Sequence, residues 1–267
     1  MRGLMWFCLI VLSLLSLFPF YIMLVMGTHY TEDLFKGIPL WFGSYVVDNL
    51  RTVFQSNFGR VYLNSLLVSA GGVLLALLTS STIGYAVAKF DFRGRRALQW
   101  FVVVTMMVPT QVGLIGYIIE MRQLGFGNTL WPVILTWAAF PFGAFFMIQF
   151  MRDSVPNDLM ECARIDGCSE PGILFRVVLP IVKPGLVTLA TLVFIWSWNN
   201  YLLPLVTINN ARWYTLPVFI SNLGIVHRTD YAARMAALAM TTIPVLILFL
   251  LGSRTFMKGM TAGAVKG

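Results

Sequence analysis

Apolar positions in this chain run in long blocks, and charged residues are confined to the stretches between them. Residues 3–26, 65–88, 98–119, 130–150 and 184–206 contain no Asp, Glu, Lys or Arg and measure 24, 24, 22, 21 and 23 residues. Crossing about 30 Å of hydrocarbon takes roughly 20 apolar residues in a helix, because every backbone N–H and C=O must find a partner inside the segment. Each block therefore predicts a transmembrane helix. A sixth block, 17 residues from Met235 to Leu251, is short, and extension to Phe256 places that span at 235–256. The first block follows Arg2, exceeds a usual signal-peptide core, and has no A-x-A site after Met26, so it reads as a signal anchor.

The fold class expected from this pattern is an all-α polytopic membrane protein with six transmembrane helices, one membrane domain over residues 1–267. Composition agrees: 58% of the residues are hydrophobic and 11% charged, against about 25% charged in soluble domains. The 21 Phe, 8 Trp and 9 Tyr exclude a disordered chain, and 3 Cys exclude a disulfide framework. The net charge of +8 is placed unevenly. Residues 1–2, 89–97, 151–183 and 252–267 hold 12 Lys and Arg in 60 residues, and the opposite loops hold 7 in 76. By the positive-inside rule both termini face the cytoplasm. Lys89, Arg93, Arg95 and Arg96, the densest basic cluster, read as a topology determinant beside a span; the expected partner is the lipid bilayer and not nucleic acid. Cys8, Cys162 and Cys168 fall in the first span or on the cytoplasmic side, where thiols stay reduced. Cys162 and Cys168 lie six apart with no His nearby, so they read as small packed side chains and not as zinc ligands.

No phosphate loop, H-E-x-x-H or G-x-S-x-G pattern occurs, and the two histidines, His29 and His227, sit in outer loops where they are expected to be solvated. No catalytic residue, metal or bound cofactor is expected. The six charge-free blocks contain no Asp, Glu, Lys, Arg or His. Ion-driven carriers keep such groups as relays although each charge costs roughly 2.5 kcal/mol or more at the bilayer centre. Energy for uphill movement is therefore expected from a partner outside the membrane. Pro19, Pro109, Pro132, Pro141, Pro184, Pro204 and Pro244 lie in spans, and each removes a helix amide, which predicts kinks or unwinding. Gln111, Trp196, Trp198, Asn199 and Asn200 are the polar and aromatic side chains to weigh as a solute path. Rings stack on sugar faces and amides bond hydroxyls, though the same residues also tie helices together.

The 151–183 loop reads as helix, sharp stop, second helix. Ser154 is placed to cap the first helix with Pro156 near its start, and Leu159, Ala163 and Asp166 recur at helical spacing. Gly167 suits a left-handed stop, Ser169 caps a second start with Pro171 in its first turn, and Pro180 and Pro184 bound the next span. The product is a knob with Glu161, Arg164 and Asp166 available for ion pairs to another protein. From this grammar alone, a docking element and an ordinary amphipathic surface loop are equally consistent.

The run Glu161-Cys162-Ala163-Arg164-Ile165-Asp166-Gly167, followed by Leu179-Pro180 and Pro184, resembles the EAA motif of ABC importer permeases. Trp198-Asn199-Asn200 with Leu203-Pro204, Tyr214-Thr215-Leu216-Pro217 and the terminal Lys258 to Gly267 segment extend the likeness to the carbohydrate-importer, MalG-like branch. Cys162 and Cys168 stand where alanines are usual, and Asn200 where aspartate is frequent. The resemblance implies a type I importer permease with a cytoplasmic helix-turn-helix coupling loop. Glu161, Ala163, Asp166 and Gly167 would engage a cytoplasmic ATPase dimer, which would hold ATP and magnesium. It also implies a second permease subunit forming a heterodimer, an extracytoplasmic solute-binding protein, a sugar substrate, and a bacterial or archaeal inner-membrane location. The terminal segment would reach the ATPase interface. An ion-coupled carrier or facilitator is the alternative, and a membrane receptor or scaffold a third.

Overall fold

The computed structural model describes residues 2–223 and 230–262, with side chains described as far as Leu250. Every regular element among the described residues is helical: α1 (Arg2–Met26), α2 (Val46–Gln55), α3 (Phe58–Lys89), α4 (Arg95–Met107), α5 (Leu114–Gln123), α6 (Trp131–Leu135), α7 (Pro141–Ser154), α8 (Asn157–Ile165), α9 (Glu170–Ile181), α10 (Lys183–Trp198), α11 (Leu202–Thr207), α12 (Leu216–Asn222) and α13 (Tyr231–Ala262).

Among the described residues, four helices are long and apolar enough to cross a bilayer unaided: α1, α3, Trp131–Ser154 and Tyr231–Leu250 of α13. Two bent helix pairs pass the same test only together. Arg95–Met107 meets Thr110–Gln123 at 90°, and Glu170–Ile181 meets Lys183–Trp198 at 81°. The first bend follows from Pro109, which forces Val108 into extended backbone (ψ 121°) and ends α4 there. The stretch expected as one helix over 184–206 is interrupted at Asn199–Tyr201. Pro204 has no amide to return to the Asn200 carbonyl, so the ladder fails at that turn. Pro132, Pro141 and Pro184 sit in first turns, where a missing N–H costs nothing. Pro19 and Pro244 lie inside α1 and α13 without a break, contrary to the expectation for them; one lost hydrogen bond is tolerated in a long helix.

The chain divides into two compact units. The first comprises Met1–Leu63 and Tyr214–Leu246. Its α1 is exposed on nearly every side, as suits a helix bathed in lipid, and Val25 is its one buried residue. At the end of α1 a Cβ on Gly27 would lie 3.0 Å from the Ala236 amide nitrogen, so glycine lets this turn touch the α13 backbone. Asn49 Nδ2 donates to the Gly27 and His29 carbonyls at 2.9 and 2.8 Å. The Thr31 hydroxyl donates to Asp230 Oδ1 at 2.6 Å, and Asp230 in turn accepts from the Ala233 amide, capping α13. His29 is not merely solvated: its Nε2 bonds the Trp41 carbonyl at 2.8 Å and pins the outer loop. His227 lies outside the described residues.

The second unit comprises Asn64–Trp213 and Ile247–Gly267. Its core includes Met147, Met151, Met160, Ile173, Val178 and Leu189, each no more than 1% exposed. Small residues allow the helices to close on it. A Cβ on Gly84 would lie 2.8 Å from Met147 Cβ, bringing α3 against α7, and one on Gly185 would lie 2.8 Å from the Phe150 ring, bringing α10 against α7.

Candidate functional site

The 151–183 segment forms a two-helix knob seated on the core of the second unit. α8 does not start at Ser154, which is the last residue of α7; Pro156 holds the N-cap position with extended backbone (φ −64°, ψ 140°). Ser169 occupies the N-cap of α9, with no side-chain cap bond. Met160 and Ala163 point inward and are buried, while Leu159 is exposed.

The turn between the helices follows from Gly167. Its φ is +80°, the left-handed region that glycine enters without steric penalty. The Gly167 amide donates to the Arg164 carbonyl and the Cys168 amide to the Ala163 carbonyl, both at 3.0 Å. These bonds make a Schellman stop, and the half-buried Cys168 packs toward the same core as Ala163. Cys168 thus matches the expectation of a packed small side chain, whereas Cys162 is exposed.

Arg164 is engaged within the knob while its side chain stays partly exposed. Its Nε donates to Glu170 Oε1 at 2.7 Å, its guanidinium lies over the Phe90 ring at 5.8 Å, and Glu170 Oε2 accepts from the Tyr85 hydroxyl at 2.7 Å. The Arg164 guanidinium, and after it the Tyr85 hydroxyl, hold the Glu170 carboxyl below the usual carboxylate range. Glu170 was not legible as a site residue, because Tyr85 is 85 positions away in the chain. Lys89 of the basic cluster donates to the Val155 carbonyl at 2.5 Å and to Asn157 Oδ1 at 3.3 Å. Arg95 donates from Nε to the Val87 carbonyl at 2.9 Å and pairs with Asp91.

The outer face of the knob is different. Glu161, Cys162, Ile165 and Asp166 are exposed, Ile165 at 85%. Glu161 makes no ion pair or hydrogen bond among the described residues. Of the four residues anticipated for partner contact, Glu161, Asp166 and Gly167 are at the surface. Ala163 is turned inward, so its part is to seat the helix.

The anticipated solute-path residues separate as well. Gln111 is exposed in the 3-10 turn Thr110–Gly113 that follows the 90° bend. Trp196 is 44% exposed, edge-on to Phe140 and Phe142 with centroids 5.7 Å away from each. Trp198 is only 3% exposed and stacks on Phe194, which makes it core packing. Asn199 Nδ2 donates to the Ile195 carbonyl at 2.8 Å, and Asn200 Oδ1 accepts from the Leu203 amide at 3.4 Å across the break before α11. Both amides thus help to shape the end of α10.

The described residues thus form an all-helical chain with several helices long and apolar enough to cross a bilayer. The chain belongs to the family of binding-protein-dependent transport system inner membrane components, whose sequence profile matches residues 72–260. It is 36% identical over 241 residues to the arabinooligosaccharides transport system permease protein AraQ of Halalkalibacterium halodurans, covering 89% of this chain and 86% of that one. It is 32% identical over 262 residues to the diacetylchitobiose uptake system permease protein DasC of Streptomyces coelicolor, covering 97% and 95%. A solved bacterial ABC transporter involved in the import of the acidic polysaccharide alginate has the same fold, with a TM-score of 0.83 at 22% identity over 96% of both chains. Membership in a binding-protein-dependent family removes the ion-coupled carrier reading.

Proposed function

We propose that this chain is the permease subunit of an ATP-binding-cassette importer for a carbohydrate, forming half of the translocation path beside a second permease. The relatives that support a sugar cargo carry arabinooligosaccharide and diacetylchitobiose in their names. In this reading the knob lies on the cytoplasmic side with both termini and docks in an ATPase dimer that holds ATP and magnesium. An extracytoplasmic solute-binding protein delivers the sugar. In this reading Gln111 and Trp196 meet it, since an exposed amide and a partly exposed ring suit hydroxyls and sugar faces.

The observation that carries the reading is the two-sidedness of the knob. Its inner face is closed by Met160, Ala163, Ile173 and Val178, and its outer face presents a carboxylate, Glu161, beside the 85% exposed Ile165. A carboxylate meeting an arginine or lysine of the ATPase makes a short charge-assisted bond, and Ile165 fills an apolar pocket next to it.

The test is co-expression with the ATPase, the second permease and the binding protein, followed by copurification and ATP-dependent sugar uptake in proteoliposomes. Glu161→Ala combined with Ile165→Ser is expected to release the ATPase while leaving the permease pair intact. Retention of the ATPase by that variant, or sugar accumulation by this chain alone, refutes the reading.

A further inference from the structure

The knob is tied to α3 by more than packing. Glu170, the first residue of α9, uses both carboxylate oxygens: Oε2 accepts from Tyr85 of α3 and Oε1 from Arg164 of α8, each at 2.7 Å. One side chain thereby joins both helices of the knob to a membrane-spanning helix. Phe90, just past α3, closes the arrangement, edge-on to Tyr85 at 5.1 Å and beneath the Arg164 guanidinium. On the other flank, Lys89 holds the Val155 carbonyl and Asn157 at the start of α8.

The covalent route out of the knob is built differently. α9 contains a π turn at Leu174–Val178, where the Leu179 amide reaches back to the Leu174 carbonyl. Pro180 and Pro184 remove two further amides around the 81° bend into α10. A ladder interrupted by a π turn and two prolines flexes more readily than an unbroken helix. A pair of charge-assisted bonds on one carboxylate resists displacement in two directions at once.

We propose that Tyr85, Arg164 and Glu170 form a polar clamp that makes the knob one rigid piece with the C-terminal end of α3, so that displacement of the knob is carried into that helix. The clamp rests on the docking role given to the knob above, and it names a second element that the ATPase moves besides α10. Glu170 is a positioning residue in this scheme: it contacts neither sugar nor ATPase and acts through the parts it joins.

The experiment uses the complete transporter complex with Cys8, Cys162 and Cys168 replaced by alanine. Spin labels go on Ser169→Cys in the knob and Leu74→Cys on the exposed face of α3. Their separation is measured by pulsed dipolar spectroscopy without nucleotide and with ATP in EDTA. The clamp predicts one narrow distance that shifts by under about 2 Å between the two states, as for a rigid body. Glu170→Ala is expected to broaden the distribution at least twofold, and Glu170→Gln, which keeps an acceptor for Arg164, to restore most of its sharpness. Tyr85→Phe removes one bond without opening a cavity, so it serves as the variant least able to unfold the chain, and it is expected to broaden the distribution less than Glu170→Ala. A nucleotide-dependent shift of several ångströms with the clamp intact, or a distribution in Glu170→Ala and Tyr85→Phe as narrow as in the parent, overturns the proposal. Failure of the parent chain to copurify with the ATPase is a separate result and refutes the docking role instead.

Discussion

Replacing Gly167 separates backbone conformation from contact. The residue sits at φ +80°, and a Cβ added there would have no atom within 4 Å. Crowding therefore contributes nothing, and the whole penalty is conformational, about 1–2 kcal/mol for an ordinary L-residue in the left-handed region. Asparagine, which enters that region more easily, is expected to cost less, and β-branched valine more. The Schellman bonds from Gly167 to Arg164 and from Cys168 to Ala163 open together when the turn relaxes. Hydrogen exchange at those amides reports the opening directly, and 1–2 kcal/mol corresponds to roughly 5- to 30-fold faster exchange. The expected order of protection is Gly, Asn, Ala, Val. Equal protection in Gly167→Val and the parent refutes the conformational account. Full protection in Gly167→Asn with loss of ATPase copurification would instead identify the position as a direct partner contact.

Other outcomes follow from the same geometry. Gly84→Ala drives a Cβ to 2.8 Å from Met147 Cβ and is expected to destabilise by about 1–3 kcal/mol, whereas Gly59→Ala, with open space around it, is neutral or stabilising in thermal unfolding followed by size-exclusion chromatography. Trp198→Ala removes a buried ring and is expected to cost about 3–5 kcal/mol. Trp196→Ala is expected to keep the protein stable while lowering sugar uptake, and equal stability losses in the two variants would erase the distinction drawn between them. Lys89→Met leaves the Val155 carbonyl without its charged donor and is expected to raise exchange in the first turn of α8 by about 5- to 10-fold, for a lost bond of about 1–1.5 kcal/mol. Unchanged exchange there would show that the bond holds nothing.

Four apolar helical stretches long enough to cross a bilayer were legible because a charge-free block of adequate length has few alternatives to a helix. The position of the breaks was partly legible. Pro109 marks a 90° bend, yet Pro19 produces none, since the sequence shows which amide is missing but not whether neighbouring residues take up the freed carbonyl. The Schellman stop was readable at Arg164-Ile165-Asp166-Gly167-Cys168 because its chemistry is local. Helical spacing in α8 did not by itself say which side faces inward: Met160 and Ala163 are buried and Leu159 is exposed. The Arg164–Glu170 pair was not legible because Glu170 is held in place by Tyr85, and no local pattern connects residues that distant.

Glu161 and Glu170 show how folding and the proposed coupling can be tested separately in this knob. Both acids are in one small element, yet Glu170 has each oxygen committed within the chain, and Glu161 is exposed with no ion pair or hydrogen bond among the described residues. Removing Glu170 strips Arg164 and Tyr85 of their acceptor, so local stability and coupling fall together. Removing Glu161 takes away a surface charge, and such changes stay within about 0.5 kcal/mol of the parent. The same logic covers Ile165, whose side chain contributes little to folding when it is 85% exposed. An outer-face variant that unfolds the knob would therefore contradict the division of labour argued from burial. One that folds normally but no longer transmits ATP hydrolysis to transport would locate the force-bearing contact on that face.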